Sequence, residues 1–348
     1  MYKLTSGVLL AAFILVVGCT TATARTNTQT GAATGIVINE ILAHTDLPQE
    51  DAIELYNPTA AEIDISAWIL SDDRQAEQHY VIPAGTVLAA GAYKVIILDI
   101  DAPFRLSEFG ETVYLYQAGA GATPGPLVDR AEFGVSPNGV SFGPLTLSTG
   151  EVRQVLLQAV TLGAANALPQ IGPLVIDELM HRPTDGRAEY VAIRNVGALA
   201  APLCDLTATG LPAILRMGGN DAFRLPCGPL LEQKGRLFIA RATPAEFRQQ
   251  YGIGADVLVV GPFSGRLSNE GELVEIVWPQ PPETDGSIAY FALDQVDYAA
   301  TAPWPVLTTD GIALVRREPT AFGDDPANWR AANEAPLARR VWLPWVGK

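Results

Sequence analysis

A chain that writes one long pattern twice, in the same order, is expected to fold one unit twice. The segment IVINEILAH (Ile36–His44), continued by EDAIELYNP (Glu50–Pro58), returns 138 positions later as LVIDELMHR and AEYVAIRNV, with no gap from Val37/Val175 to Asn57/Asn195. LSEFGETVYL (106–115) returns as LSNEGELVEI (267–276), and PNGVSF (137–142) as TDGIAL (309–314). The period far exceeds the 20–50 residues of solenoid repeats, so the duplicated unit is a whole domain. A chain of 348 residues has room for about two domains of ~100–200 residues each.

Each anchor reads as a β-strand. Alternation in Ile36–Ile41 puts Ile36, Ile38 and Glu40 on one face, the inward one, and Val37, Asn39 and Ile41 on the other. Ile53 and Leu55 alternate with Glu54 and Tyr56 in the same way. YKVIILDI (93–100) is an apolar, β-branched run suited to a strand buried on both sides. NPTA, PAGT, AAGAY and PNG punctuate these runs as turns, and the 32 Gly and 26 Pro favour many more. Short strands with regular punctuation predict an all-β sandwich. One short helix is expected over Thr243–Gly252, with Thr243 as cap, Pro244 at the first position and Glu246 completing a capping box.

The N-terminus reads as an export signal. Lys3 precedes GVLLAAFILVV (Gly7–Val17), an apolar core of 11 residues, well short of the ~20 that span a bilayer. The core ends in VVGC, which resembles the lipobox of bacterial lipoproteins. That resemblance implies a signal peptide over residues 1–18, lipidation of Cys19 and a membrane partner through the lipid anchor. The alternatives are cleavage near Ala24, which would release a secreted protein, and an uncleaved anchor. Residues 19–35 lack core-forming side chains and read as a flexible tether. Thr20, rather than Asp, after the cysteine permits an outer-membrane or cell-surface destination. Setting Cys19 aside leaves Cys204 and Cys227, 23 residues apart, which are expected to form a disulfide as suits an exported region, two buried free thiols being the alternative.

Residues 39–41, 53–57 and 64–72 spell Asn-Glu-Ile, Ile-Glu-Leu-Tyr-Asn and Asp-Ile-Ser-Ala-Trp-Ile-Leu-Ser-Asp. With LSxxGExV and TLGAAN (161–166), they resemble the lamin tail domain family. The second half departs further: Asp177 replaces the Asn, Ala192 the strand Glu, and LCDLTATG lacks the Trp, yet LSNEGELV and DDPANWRAANEAP (324–336) remain. The resemblance implies two tandem immunoglobulin-like β-sandwiches, at 36–166 and 174–330, joined by a linker at 167–173 and followed by a tail at 331–348. It implies no catalytic residues, because fold and activity separate readily.

Site chemistry is sparse. Glu40 and Glu178 share one position in the two halves; a buried carboxylate must be paired or hydrogen-bonded, so each reads as a structural clamp on backbone. Trp68 is expected in the sandwich core. His44, His79 and His181 fit no metal motif and are expected to be exposed. Asp72-Asp73, Asp99/Asp101 and Asp324-Asp325 lack calcium-loop spacing and read as solvated acidic turns. No nucleophile with a positioned base and no phosphate loop is visible, so no catalytic residue, metal or cofactor is assigned. With 23 Lys+Arg against 38 Asp+Glu, the net charge of −15 disfavours nucleic acid. The tail ARRVWLPWVGK (338–348) combines Arg and Trp and reads as a packed arm or a membrane-surface contact. The expected role is a non-catalytic envelope lipoprotein that binds or scaffolds a protein or glycan partner. A nucleic-acid-binding surface module and a divergent extracellular hydrolase or nuclease accessory are the alternatives.

Overall fold

The computed structural model describes residues 35–333 except 76–79, 103, 185 and 283–285, and all of these fall in one compact unit. The export signal, Cys19, the tether up to residue 34, His79 and the tail from residue 334 lie outside the described residues.

The first half contains β1 (Val37–Leu42), β2 (Ala52–Tyr56), β3 (Ile63–Asp64), β4 (Ile69–Ser71), β5 (Tyr80–Val81), β6 (Val87–Leu88) and β7 (Tyr93–Ile97). A single helical turn α1 (Leu98–Asp101) follows, then β8 (Glu111–Ala118), β9 (Pro124–Phe133), β10 (Phe142–Thr146) and β11 (Val152–Leu156). One sheet runs β11-β10-β1-β2-β7 and the other β5-β4-β8-β9. Ile36, Ile38, Ile41, Ile53, Leu55 and Ile96 from the first meet Leu70, Val113, Leu115, Ala131 and Phe133 from the second in one core that also holds Trp68. Each such aliphatic side chain contributes about 1.5–3 kcal/mol when fully buried.

The second half contains β12 (Leu174–Met180), β13 (Tyr190–Asn195), β14 (Ala201–Pro202), β15 (Ile214–Met217), β16 (Asn220–Arg224), β17 (Leu230–Leu231) and β18 (Arg236–Ala240). Helix α2 (Pro244–Tyr251), β19 (Leu258–Val260), β20 (Gly271–Pro279), β21 (Tyr290–Ala299), β22 (Ile312–Arg316) and β23 (Trp329–Asn333) complete it. Its sheets run β19-β18-β13-β12-β22-β23 and β16-β15-β20-β21. The strand orders of the first half reappear, with β19 added. The architecture is all-β, an immunoglobulin-like sandwich pattern, and α2 carries the expected Thr243–Glu246 capping box and a left-handed Gly252 at its end.

Repeated residues do repeated work. Asn57 and Asn195, both fully buried, donate to matching carbonyls, Ala61 and Leu88 in one half and Leu199 and Leu231 in the other, all at 2.8 Å, and Asn57 also reaches Ala89 O at 3.1 Å. In LSxxGE, the carboxylates of Glu111 and Glu272 accept from the Ser107 and Ser268 amides at 2.6 and 2.5 Å. Gly110 and Gly271 sit between them at φ 93° and 117°, where a β-carbon would collide with the backbone of Phe133 and Tyr298. Only glycine fits both demands.

Several expectations are corrected. The strand at Tyr93 stops at Ile97 and gives way to α1; as a sheet edge it is half-buried rather than enclosed on both sides. His181 is 3% exposed, 4.9 Å from the Tyr298 ring, and burial pushes its imidazole down to about 4. His44 is also drawn in: its Nε2 lies 3.0 Å from Glu108 and its Nδ1 2.8 Å from the Ser136 carbonyl. Asp324 is not a solvated turn. It is 2% exposed and holds Arg153 of the first half at 2.6 Å, while Asp325 accepts from the Ser148 amide at 3.1 Å and from its hydroxyl. Gln280 adds a third contact between the halves, donating to Ser136 O at 3.0 Å. The expected linker is partly ordered by pairing, since the Gln170 amide donates to Leu156 O and the Gln158 amide to Leu168 O.

Candidate functional site

The residues singled out at Glu40 and Glu178 lie on β-bulges. In β1 the register with β2 shifts by one between Ile38↔Leu55 and Glu40↔Glu54; in β12 it shifts identically between Ile176↔Ile193 and Glu178↔Ala192. An extra residue in a strand resets which face follows. Ile36, Ile38 and Ile41 therefore all face the core, while Asn39 and Glu40 turn to the opposite face. Simple alternation grouped Glu40 with Ile36 and Ile38, and the bulge overturns that grouping. Glu40 is still fully buried, because the chain after β11 folds over that outer face.

In the first half this produces two neighbouring carboxylates. Glu40 Oε1 accepts from Ser141 Oγ at 2.6 Å and from the Thr161 amide at 2.8 Å; its Oε2 accepts from Thr161 Oγ1 at 2.8 Å. Glu54, directly across the strand pair, accepts from Asn39 Nδ2 at 2.7 Å and from the Gly163 amide. Asn39 and Asn166 exchange bonds at 2.8 Å. Burial raises the Glu54 carboxyl above its ordinary value; the bonds from Gly163 and Asn39 oppose this, and the nearby Glu40 adds to it. Thr161, Gly163 and Asn166 all bond to this cluster, so it ties that segment to the sheet.

In the second half the same position is built differently. Glu178 accepts from Tyr190 Oη at 2.7 Å and from Arg236 Nη2 at 2.8 Å, and Arg236 also reaches Asp177 at 2.6 Å. Burial opposes the Arg236 charge, but Asp177 and Glu178 more than offset this and raise its pKa. Helix α2 covers the face, packing Phe247 and Tyr251 on Tyr190 and Phe238.

A second pair of carboxylates secures the bulges from the facing sheet. Asp129 accepts the Ile38 amide at 2.8 Å and Asp294 the Ile176 amide at 2.7 Å. Asp294 is further held by buried Arg316 at 2.6 Å. Sequence reasoning missed these two; the signal was the pair LVDRAEF and ALDQVDY, aligned around the two Asp. Arg236, 58 residues from Glu178, carried no local signal.

Trp68 is 8% exposed and packs in the first core; the second core contains Trp304 and Trp329. Cys204 and Cys227 form a disulfide with Cα atoms 5.2 Å apart. Among the described residues no group of three or more His, Cys, Asp or Glu is arranged to hold a metal ion, and no helix is long and apolar enough to cross a membrane.

Comparison with known proteins gives one family. No curated protein and no solved structure matches the chain. Residues 29–134, which take in β1 to β9 and stop before the β10–β11 hairpin and the 161–166 clamp, match the family model of the Lamin Tail Domain.

Proposed function

We propose that this chain is an exported, non-catalytic interaction protein, anchored through lipid on Cys19 and presenting two tandem lamin-tail-like sandwiches to a protein or glycan partner at the cell envelope. The observation that carries the reading is how the acids around the two bulges are used. Glu40, Glu54, Asp129 and Asp294 all accept from backbone amides, so these acids serve to hold chain rather than to face a substrate. The Lamin Tail Domain match supports an interaction role for the first half. The repeated strand order, bulge and LSxxGE geometry support a second, diverged copy over 174–330. The Cys204–Cys227 disulfide supports an oxidising compartment.

The test uses the full chain expressed with its N-terminus intact. The wild type is expected in the membrane fraction and the Cys19→Ala variant in the soluble exported fraction. Purified protein, immobilised against solubilised envelope, is expected to retain one identified protein or glycan saturably. Unchanged fractionation of Cys19→Ala sinks the anchor, and no saturable partner at high bait density sinks the interaction role.

A further inference from the structure

We propose that the open edge of β7 docks an extended apolar strand from a partner protein, added parallel to β7 as β19 is added to β18. The inference rests on the reading of the chain as an interaction module, and names the surface and the chemistry of the partner.

The two halves supply the argument. Ile96 pairs with Ile53 and Ile239 with Val191, and the repeat aligns Ile53 with Val191, so β7 and β18 occupy one position. From there to the shared Leu106/Leu267 the second half takes 18 residues more. That extra chain contains α2 and β19. It closes the sheet edge through the parallel pairs Leu237↔Leu258, Phe238↔Val259 and Ile239↔Val260, and it covers the adjoining face with Phe247 and Tyr251. The first half has no such segment, and among the described residues β7 ends its sheet.

The ladder at that edge is open. The Asn57 amide bonds Ala92 O and the Leu98 amide bonds Asp51 O, which sets the antiparallel alternation. Lys94 and Ile96 therefore bond to β2, while the amides and carbonyls of Tyr93 and Val95 point away from it. The Ile97 amide is taken by Asp101 at 3.1 Å, which closes the open stretch at that end. On the adjoining face Tyr56 and Tyr93 stack at 4.6 Å, and both rings and Val95 are only half-buried. An incoming strand finds backbone partners at Tyr93 and Val95 and apolar contact for its alternate side chains. Val95 aligns with Phe238, the central residue of the β18–β19 pairing.

The probe is a fluorescent peptide of this chain's own β19 sequence, DVLVVGPF (256–263), titrated into the full chain and followed by anisotropy. Two variants test the edge. Val95→Pro removes an amide that faces away from β2, so no ladder bond is lost; Val95→Lys charges the same spot with the backbone unchanged. Saturable one-to-one binding is expected, at least 10-fold weaker in both variants and with a peptide N-methylated at its third Val, the counterpart of Val260, whose amide faces the β18 edge. Absence of saturable binding, or equal binding by both variants when their unfolding midpoints match the wild type, overturns the proposal. So does concentration-dependent self-association that the peptide does not inhibit. If the envelope partner is still retained by both variants, the edge proposal fails while the interaction role stands.

Discussion

The two bulges share one backbone and hold it with opposite chemistry. In the first half Glu40 and Glu54 lie side by side and accept from neutral donors, among them Thr161 and Gly163 of a passing loop. In the second, Ala192 stands where Glu54 was and Arg236 where Tyr93 was, so a cation meets two acids. The difference teaches that the bulge, not its occupants, is the repeated element. A bulge turns two consecutive polar side chains to one face, and any arrangement that satisfies them there is admissible.

The largest test of that contrast is Arg236→Ala. It leaves Asp177 and Glu178 buried without their cation, with Tyr190 still donating to Glu178, and a cost of about 3–5 kcal/mol is expected from urea unfolding midpoints. Glu40→Ala removes an acceptor shared by Ser141 and Thr161 and should cost about 2–3 kcal/mol, whereas Glu54→Gln keeps the shape and one acceptor and should cost about 1 kcal/mol. Equal losses for Arg236→Ala and Glu40→Ala would erase the distinction between an ionic and a backbone clamp.

A pH-dependent effect concerns the contact between the halves. Burial, against the opposing pull of the Asp297 amide and Arg153, raises the Asp324 carboxyl from 3.8 to about 6, and the Asp297 charge adds to the rise. The folded chain therefore holds this proton more tightly than the unfolded chain does. The resulting stabilisation is full below about pH 3.8 and is lost as pH rises through 6. Unfolding midpoints measured between pH 4 and 7 should fall less steeply with pH in Asp324→Asn than in the wild type. An unchanged slope would remove Asp324 from the account.

How far the chain could be read shows in particular residues. The Thr243 capping box needs only residues three apart, and its helix was legible at once. The paired strands were legible because apolar periodicity is local. Glu40 was legible as a buried, satisfied position, but its face was not, since one extra residue at Asn39 inverts the alternation and nothing in IVINEIL marks it. Asp324 looked like a solvated turn because its partner, Arg153, lies 171 residues away. The burial of His181 was hidden for the same reason, its neighbour Tyr298 coming from a distant strand.

By itself the sequence determined the all-β class, the order of the matching strands in the two halves and the helix with its cap. These rest on interactions within a few residues or on a pattern compared with its own copy. The tertiary structure decided which face each polar residue occupies, which acid meets which cation, and which sheet edge is left open. Those depend on register shifts of one residue and on an 18-residue difference between the halves, whose consequences appear only when distant strands are brought together.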